Sequence, residues 1–421
     1  MVAGRTGCLW TIGWLAMVAC VIAACSSPST IPTPNPGATS PEAPGTSPAV
    51  TRAPTASLAP SVAPSPPGSS TDPSADVPGT LGEALAYLGP VPQRIMFTDW
   101  AALRAAAGAE GLTSGSPFEA KAQAVRNDAT AVSFRLRSPG DAATWGFDAF
   151  DLEWEAWAYG LGGNVDVVRF RDGVDTDVVS AKLDEHGFTT EQLPRGVLRT
   201  DTGRGTALLQ PVFAFTAILD DGRTLVMSGE SVDIPRSVLT DGPTPAVDPS
   251  LRSVARLLDA PAVADLYVGD YCHQVDQGIE RLSADARAPV AELLQAAGPL
   301  GAFNAVAYGY DWGDDPIGRI VIGYPDEAGA QADLAGRAQL AREGTSLGDL
   351  GDRVGIRYAD GWFTLADARV VERSIVLRVG PVASELRSPD PPNPMATTNF
   401  LPSMLFRMFE QRNMLFAACP E

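Results

Sequence analysis

The chain has 421 residues, room for two or three domains, and 45% of them are hydrophobic, enough to build a sizeable core. A net charge of −19 excludes the basic surface that a nucleic-acid binder needs to displace counterions from phosphates, and likewise a polybasic grip on anionic lipid headgroups. The acidity belongs to the folded part: of the charged residues, only Arg5, Glu42, Arg52, Asp72 and Asp76 precede Thr80.

Residues 1–24 carry one positive side chain, Arg5, then an apolar run from Leu9 to Ala19 that continues through Val21-Ile22-Ala23-Ala24. A positive start, a short apolar stretch and small residues at the end are the pattern of a secretory signal. The run is short for a membrane span, which remains the alternative. The segment Ile22-Ala23-Ala24-Cys25 resembles the lipobox of bacterial lipoprotein signal peptides. That resemblance covers only these positions and the leader before them. It implies cleavage before Cys25, a diacylglycerol on its thiol and, often, a further acyl chain on the new amino terminus. Two or three chains anchor stably where one would not. Met17-Val18-Ala19-Cys20 matches less well, and polar sequence begins directly after Cys25 at Ser26-Ser27.

Residues 25–79 change character. The 54 residues from Ser26 to Gly79 include 14 Pro and are otherwise mostly Ser, Thr, Ala and Gly. No periodic apolar face can offset the entropy of folding, so a disordered linker is predicted. Proline biases it toward polyproline II, with a contour approaching about 150 Å. Its Ser and Thr residues beside Pro suit O-glycosylation, and a passive, unmodified tether fits the composition as well.

Folded sequence begins near Leu81. A short helix is predicted over 81–88 and a strand at Ile95-Met96-Phe97, after which Thr98 or Asp99 caps an Ala-rich helix over 100–107 that Gly108 stops. Strands follow at 150–158 and 165–170, then a helix over 175–186 closed by Gly187, then a hairpin of 213–219 and 224–228 across Asp220-Asp221-Gly222-Arg223. Asp241-Gly242-Pro243-Thr244-Pro245 reads as a boundary, and helix resumes at 251–258. A similar succession then recurs: strands at 304–310 and 319–323, a long helix over 327–342 ended by Gly344, and strands at 362–365 and 374–379. The predicted fold is α+β, two units (80–245 and 246–421) of mainly antiparallel sheet with helices packed on one face, and the recurring succession suggests an internal duplication.

Cys272 and Cys419 are the two cysteines outside the leader and its end. In an oxidising compartment they most simply pair, and two buried free thiols are the alternative. Gly344-Thr345-Ser346-Leu347-Gly348 has the Gly-x-Ser-x-Gly spacing of serine hydrolases, but it follows a helix, and His186 and His273 both precede it, so it reads as a helix-ending loop. With no His-Glu-x-x-His and no Cys-x-x-Cys, neither a metal site of the usual kind nor any other cofactor is expected. His186 is placed at a helix carboxy terminus, where a cationic ring complements the dipole, and His273 in an ordinary loop or surface role.

Asp151, Glu153 and Glu155 alternate with Leu152, Trp154 and Ala156, which on a regular strand puts three carboxylates on one face. They read either as a solvated outer face or as a cation site or acid/base pair for sugar cleavage. The acidic groups Asp172/Asp175/Asp177 and Asp311/Asp314/Asp315 lack EF-hand spacing; Asp175 reads as a helix cap and the latter group as an acidic turn. Leu401, Met404, Leu405, Met408 and Phe409 form one helical stripe, read as core or as the lining of an apolar groove. No catalytic residue is assigned. The expectation is an exported protein, lipid-anchored on the extracytoplasmic face of the cell membrane, that binds an envelope protein or polymer and no nucleic acid. A carboxylate-based envelope hydrolase using Asp151, Glu153 and Glu155 is the alternative.

Overall fold

The computed structural model describes residues 77–89, 92–117, 119–121, 140–160, 163–201, 214–243, 247–311, 317–347, 355, 357–382, 405, 408–409 and 411–419. The leader, Cys25 and the linker up to residue 76 lie outside them.

Local sequence starts and stops the elements. Helix α1 (Gly79–Leu85) leads into strand β1 (Pro92–Asp99), and Asp99 then caps α2 (Trp100–Ala106) by accepting from the Ala102 backbone N–H at 2.7 Å. Gly108 follows at φ +63°, a left-handed exit open to glycine. After α3 (Gly140–Trp145) come β2 (Leu152–Gly160), β3 (Gly163–Phe170) and α4 (Thr176–Glu185), the last capped by Asp175. Two hairpins follow, β4 (Thr189–Leu193) with β5 (Gly196–Thr200) and β6 (Phe215–Leu219) with β7 (Thr224–Ser228), and then α5 (Asp233–Thr240). The second half runs α6 (Pro249–Arg256), β8 (Val263–Val268), α7 (Tyr271–Glu280), α8 (Ala284–Ala297), β9 (Ala305–Asp311), β10 (Ile317–Gly323), α9 (Glu327–Glu343), α10 (Tyr358–Gly361), β11 (Thr364–Val371) and β12 (Ser374–Gly380).

Among the described residues, twelve strands join one antiparallel sheet in the order β11-β12-β10-β9-β8-β1-β2-β3-β7-β6-β5-β4. The two expected units are therefore not separate sheets: β1 and β8 pair directly, Ile95 opposite Leu266 and Met96 opposite Asp265. Outward from this seam the order is β1-β2-β3-β7-β6 on one side and β8-β9-β10-β12-β11 on the other, with the β4–β5 hairpin extending the first side.

The helices cover both faces of the sheet, not one as expected. Alternate side chains feed two cores. Ile95, Phe97, Trp154, Ala156, Val165, Val167 and Val321 meet α1, α5 and α6 through Leu81, Leu85, Val238, Leu239, Leu251 and Val254. Met96, Val168, Phe170, Val263, Tyr308, Ile320, Ile322 and Leu377 face the larger core, which α2, α4, α7, α9 and α10 close together with residues near the carboxy terminus. The cause is visible in the central strands. In β7, β8 and β9 nearly every residue is buried, the mark of strands covered on both sides, whereas the edge strand β4 is almost wholly exposed.

Candidate functional site

At the seam, strand register brings scattered residues into two rows on the face of the larger core. Tyr159 of β2, Arg94 of β1 and Tyr267 of β8 are successive partners across the sheet, and so are Trp157, Met96 and Asp265. Arg94 reaches diagonally to Asp265 with two parallel bonds, Nε to Oδ1 at 2.9 Å and Nη2 to Oδ2 at 2.6 Å. The Asp265 side chain is fully buried and that of Arg94 is 12% exposed, so this fork is the charge balance that lets a carboxylate sit inside the sheet.

Around the fork the side chains are aromatic and planar. The rings of Trp157 and Tyr159, two residues apart on β2, lie 5.4 Å centroid to centroid and are tilted by 37°. Both are partly buried, and Trp157 packs on the larger core. Helix α7 adds Gln274, whose amide donates to the Tyr267 hydroxyl at 3.1 Å and to Asp270 at 2.7 Å. The guanidinium of Arg412 lies 5.6 Å above the Tyr267 ring. Burial first, and then Tyr267, push the Tyr159 hydroxyl pKa upward against the pull of Arg94 and Arg412, so it stays a protonated phenol at neutral pH. Among the described residues the patch shows no nucleophile beside a base. Its Trp, Tyr and Arg side chains are the types that dominate binding energy at interfaces.

The carboxylates singled out from the sequence do not share a face. A bulge between Leu152 and Trp154 inserts Glu153, so Leu152 faces the larger core and Trp154 the smaller one. The guanidinium of Arg104, buried on α2, donates to the Leu152 carbonyl at 2.6 Å and holds the bulge. Asp151 is buried in the turn before β2, accepting from the backbone N–H groups of Ser114 and Asp148, each at 3.2 Å. Glu153 pairs with Arg223 at 2.5 Å and Arg169 at 3.5 Å. Glu155 is buried and accepts from the Trp100 indole at 3.1 Å. With Asp151 and Glu155 buried, they do not form the solvated outer face of a regular strand.

Cys272 and Cys419 are bonded to each other, with Cα atoms 5.4 Å apart. Exposed His273 approaches the bridge, Nδ1 lying 3.8 Å from the Cys419 sulfur. Cys272, His273 and Cys419 bring their ligand-type atoms within 4.8 Å of one another, but two sulfurs joined to each other are not thiolate ligands. His186 ends α4, and its Nε2 lies 3.0 Å from the Thr144 carbonyl. Gly344 ends α9, and Ser346 is buried in a bridge with Met414, so this serine sits in the loop expected of it; Gly348 lies outside the described residues. Asp311 pairs with Arg319 at 3.1 Å; Asp314 and Asp315 are not described. Of the late apolar stripe, Leu405, Met408 and Phe409 are core residues, while Leu401 and Met404 are not described.

No protein-family model and no curated protein matches the chain. Among solved structures it is similar to TP0453 in three crystal forms, over 72% of this chain: form I (8% identity, TM-score 0.34, 93% of that chain), form IV (10%, 0.32, 93%) and form III (9%, 0.30, 94%). A likeness this distant carries no argument about the site.

Proposed function

We propose that this chain is an exported, lipid-anchored binding module of the cell envelope. Lipid on Cys25 and the proline-rich linker hold the sheet at the extracytoplasmic face, and the seam patch engages an envelope protein or polymer. The observation that carries the binding part is the row Tyr159–Arg94–Tyr267 with Trp157 and Arg412 beside it. Aromatic and guanidinium groups supply large contact area at low entropy cost, and α2, α7 and the sheet hold them in place. The proposal extends to an internal duplication. The order α1-β1-α2-β2-β3-α4-β6-β7 recurs as α6-β8-α7-β9-β10-α9-β11-β12, which sets the patch where the first strands of the two copies meet. Binding sites favour such junctions.

Two measurements test this. Chemical cross-linking in intact envelopes should capture a partner with the native chain and lose it with Trp157→Ala; equal capture by both would remove the patch from the proposal. A Cys25→Ser chain should leave the membrane fraction and carry no lipid mass, and unchanged membrane retention would remove the anchor.

A further inference from the structure

We propose that Cys272 and Cys419, once reduced, form with His273 a binding site for a thiophilic closed-shell cation such as the zinc ion. Among the described residues these three are the group whose ligand-type atoms lie close enough to share an ion, all within 4.8 Å of one another. The bridge itself does not ligate, so reduction gates the site. A dithiol supplies two electrons and two protons: the bond between Cys272 and Cys419 breaks, two thiols form, and the dithiol leaves as its own disulfide. The cation then takes both sulfurs as thiolates and Nδ1 of the neutral His273 ring, releasing the two thiol protons. A fourth position is left to solvent.

Hydrogen bonds that involve no sulfur keep the two cysteines facing each other after the bond is gone. Cys419 donates its backbone N–H to Asp276 of α7, one turn beyond Cys272, at 3.1 Å. Arg337 holds the carbonyls of Phe416 and Ala418 at 2.7 and 2.6 Å, and the backbone N–H of Leu415 donates to the Tyr358 hydroxyl at 2.7 Å. The chemistry of the trio selects the ion. His273 Nδ1 lies 3.8 Å from the Cys419 sulfur; in a tetrahedral zinc site a thiolate sulfur and an imidazole nitrogen stand about 3.5 Å apart. Cys272 sits in the first turn of α7, where the helix dipole favours a thiolate. Both cysteines are buried and His273 is exposed, so the imidazole side meets solvent. Calcium and magnesium ions require oxygen ligands, which the trio does not offer, whereas thiolate and imidazole suit zinc.

The test uses the full chain in detergent micelles, reduced with a dithiol that is then removed under argon. Cobalt(II) is the coloured probe, and zinc is added afterwards to displace it. The Cys272→Ser/Cys419→Ser chain, which keeps Cys8, Cys20 and Cys25, sets the background. We expect the reduced native chain to bind one further equivalent of cobalt, with sulfur-to-cobalt charge-transfer absorption that zinc abolishes. The oxidised chain should show none of it. Affinity should fall about tenfold or more in reduced His273→Ala, whose exposed side chain can be removed without opening the core; circular dichroism checks that it is folded. Four results overturn the proposal: no charge-transfer band above background in the reduced chain, the same band in the oxidised chain, undiminished affinity in folded His273→Ala, or a reduced chain that unfolds and is not refolded by zinc. None of these outcomes bears on the seam patch, which is tested separately by cross-linking.

Discussion

Arg337 of α9, with no exposed side-chain surface, donates through Nη1 to the main-chain carbonyl of Ala418 at 2.6 Å. The same nitrogen reaches the Phe416 carbonyl at 2.7 Å, Nε reaches the Tyr324 hydroxyl at 2.6 Å, and Nη2 reaches the Gly301 carbonyl at 2.6 Å and Asp333 at 3.2 Å. One buried cation thus ties α9, the loop before β9 and the chain's end together. Arg337→Ala should therefore destabilise the fold by about 3–5 kcal/mol, because it leaves Asp333 buried without its counter-charge. Urea unfolding followed by circular dichroism measures this, and a loss below about 1 kcal/mol would contradict the account.

Cys419 lies next to that clamp, and its bridge to Cys272 spans a sequence separation of 147. In the chain-entropy model a loop of this size restricts the unfolded state by about 5 kcal/mol. The Cys272→Ser/Cys419→Ser chain should unfold at a clearly lower urea midpoint than the oxidised native chain, and reductant should lower the native midpoint toward it. Non-reducing peptide mass spectrometry should recover the two cysteines joined. Free alkylation of both in the native protein would refute the pairing.

Gly196 opens β5 at φ +145°, and a Cβ there would sit 2.1 Å from the Ile218 carbonyl oxygen. Gly222, at φ +66° in the β6–β7 turn, has nothing within 4 Å of its added Cβ. Gly196→Ala must move a neighbouring strand as well as adopt an unfavourable backbone, so its cost should be at the upper end of about 1–3 kcal/mol or beyond. Gly222→Ala suffers the backbone term alone, about 1–2 kcal/mol. Paired denaturation curves decide, and equal costs would show that the β5–β6 contact yields freely.

Asp221 closes the same turn. Burial pushes its carboxyl upward, but hydrogen bonds from the Thr224 side chain and from the backbone N–H groups of Arg223 and Thr224, with the nearby Arg169 charge, outweigh it and hold the pKa below the ordinary carboxylate value. A lowered folded-state pKa means stability that is present above the unfolded-state value, about pH 4, and lost as pH falls through the folded-state value. The stability difference between the native chain and Asp221→Asn should therefore be largest near neutrality and shrink in acid. A pH-independent difference would show that ionisation of Asp221 is not coupled to folding.

Where chemistry was local, the sequence was informative. Asp99 as a cap, the helix after Asp326, and the Asp-Gly turn each follow from residues within a few positions of one another. The two exposed-face elements β4 and α8 escaped notice because they bury little: Val290 is the one buried residue of α8. Strand β8 was missed for the opposite reason, since a run buried on both faces shows no alternation. The bulge at Glu153 then defeated the period-two reading of the carboxylates, because it depends on Arg104, 48 positions before the strand's first carbonyl.

By itself the sequence determined the α+β class and the acidic balance of the chain, since both follow from composition and short-range pattern. It also set the helix caps and tight turns, where a side chain acts on its own backbone. Tertiary structure alone decided that the two halves share one sheet, that helices cover both of its faces, and that Arg94, Trp157, Tyr159, Tyr267, Gln274 and Arg412 come together. Strand pairing joins positions far apart along the chain, and no local propensity encodes which strands will meet.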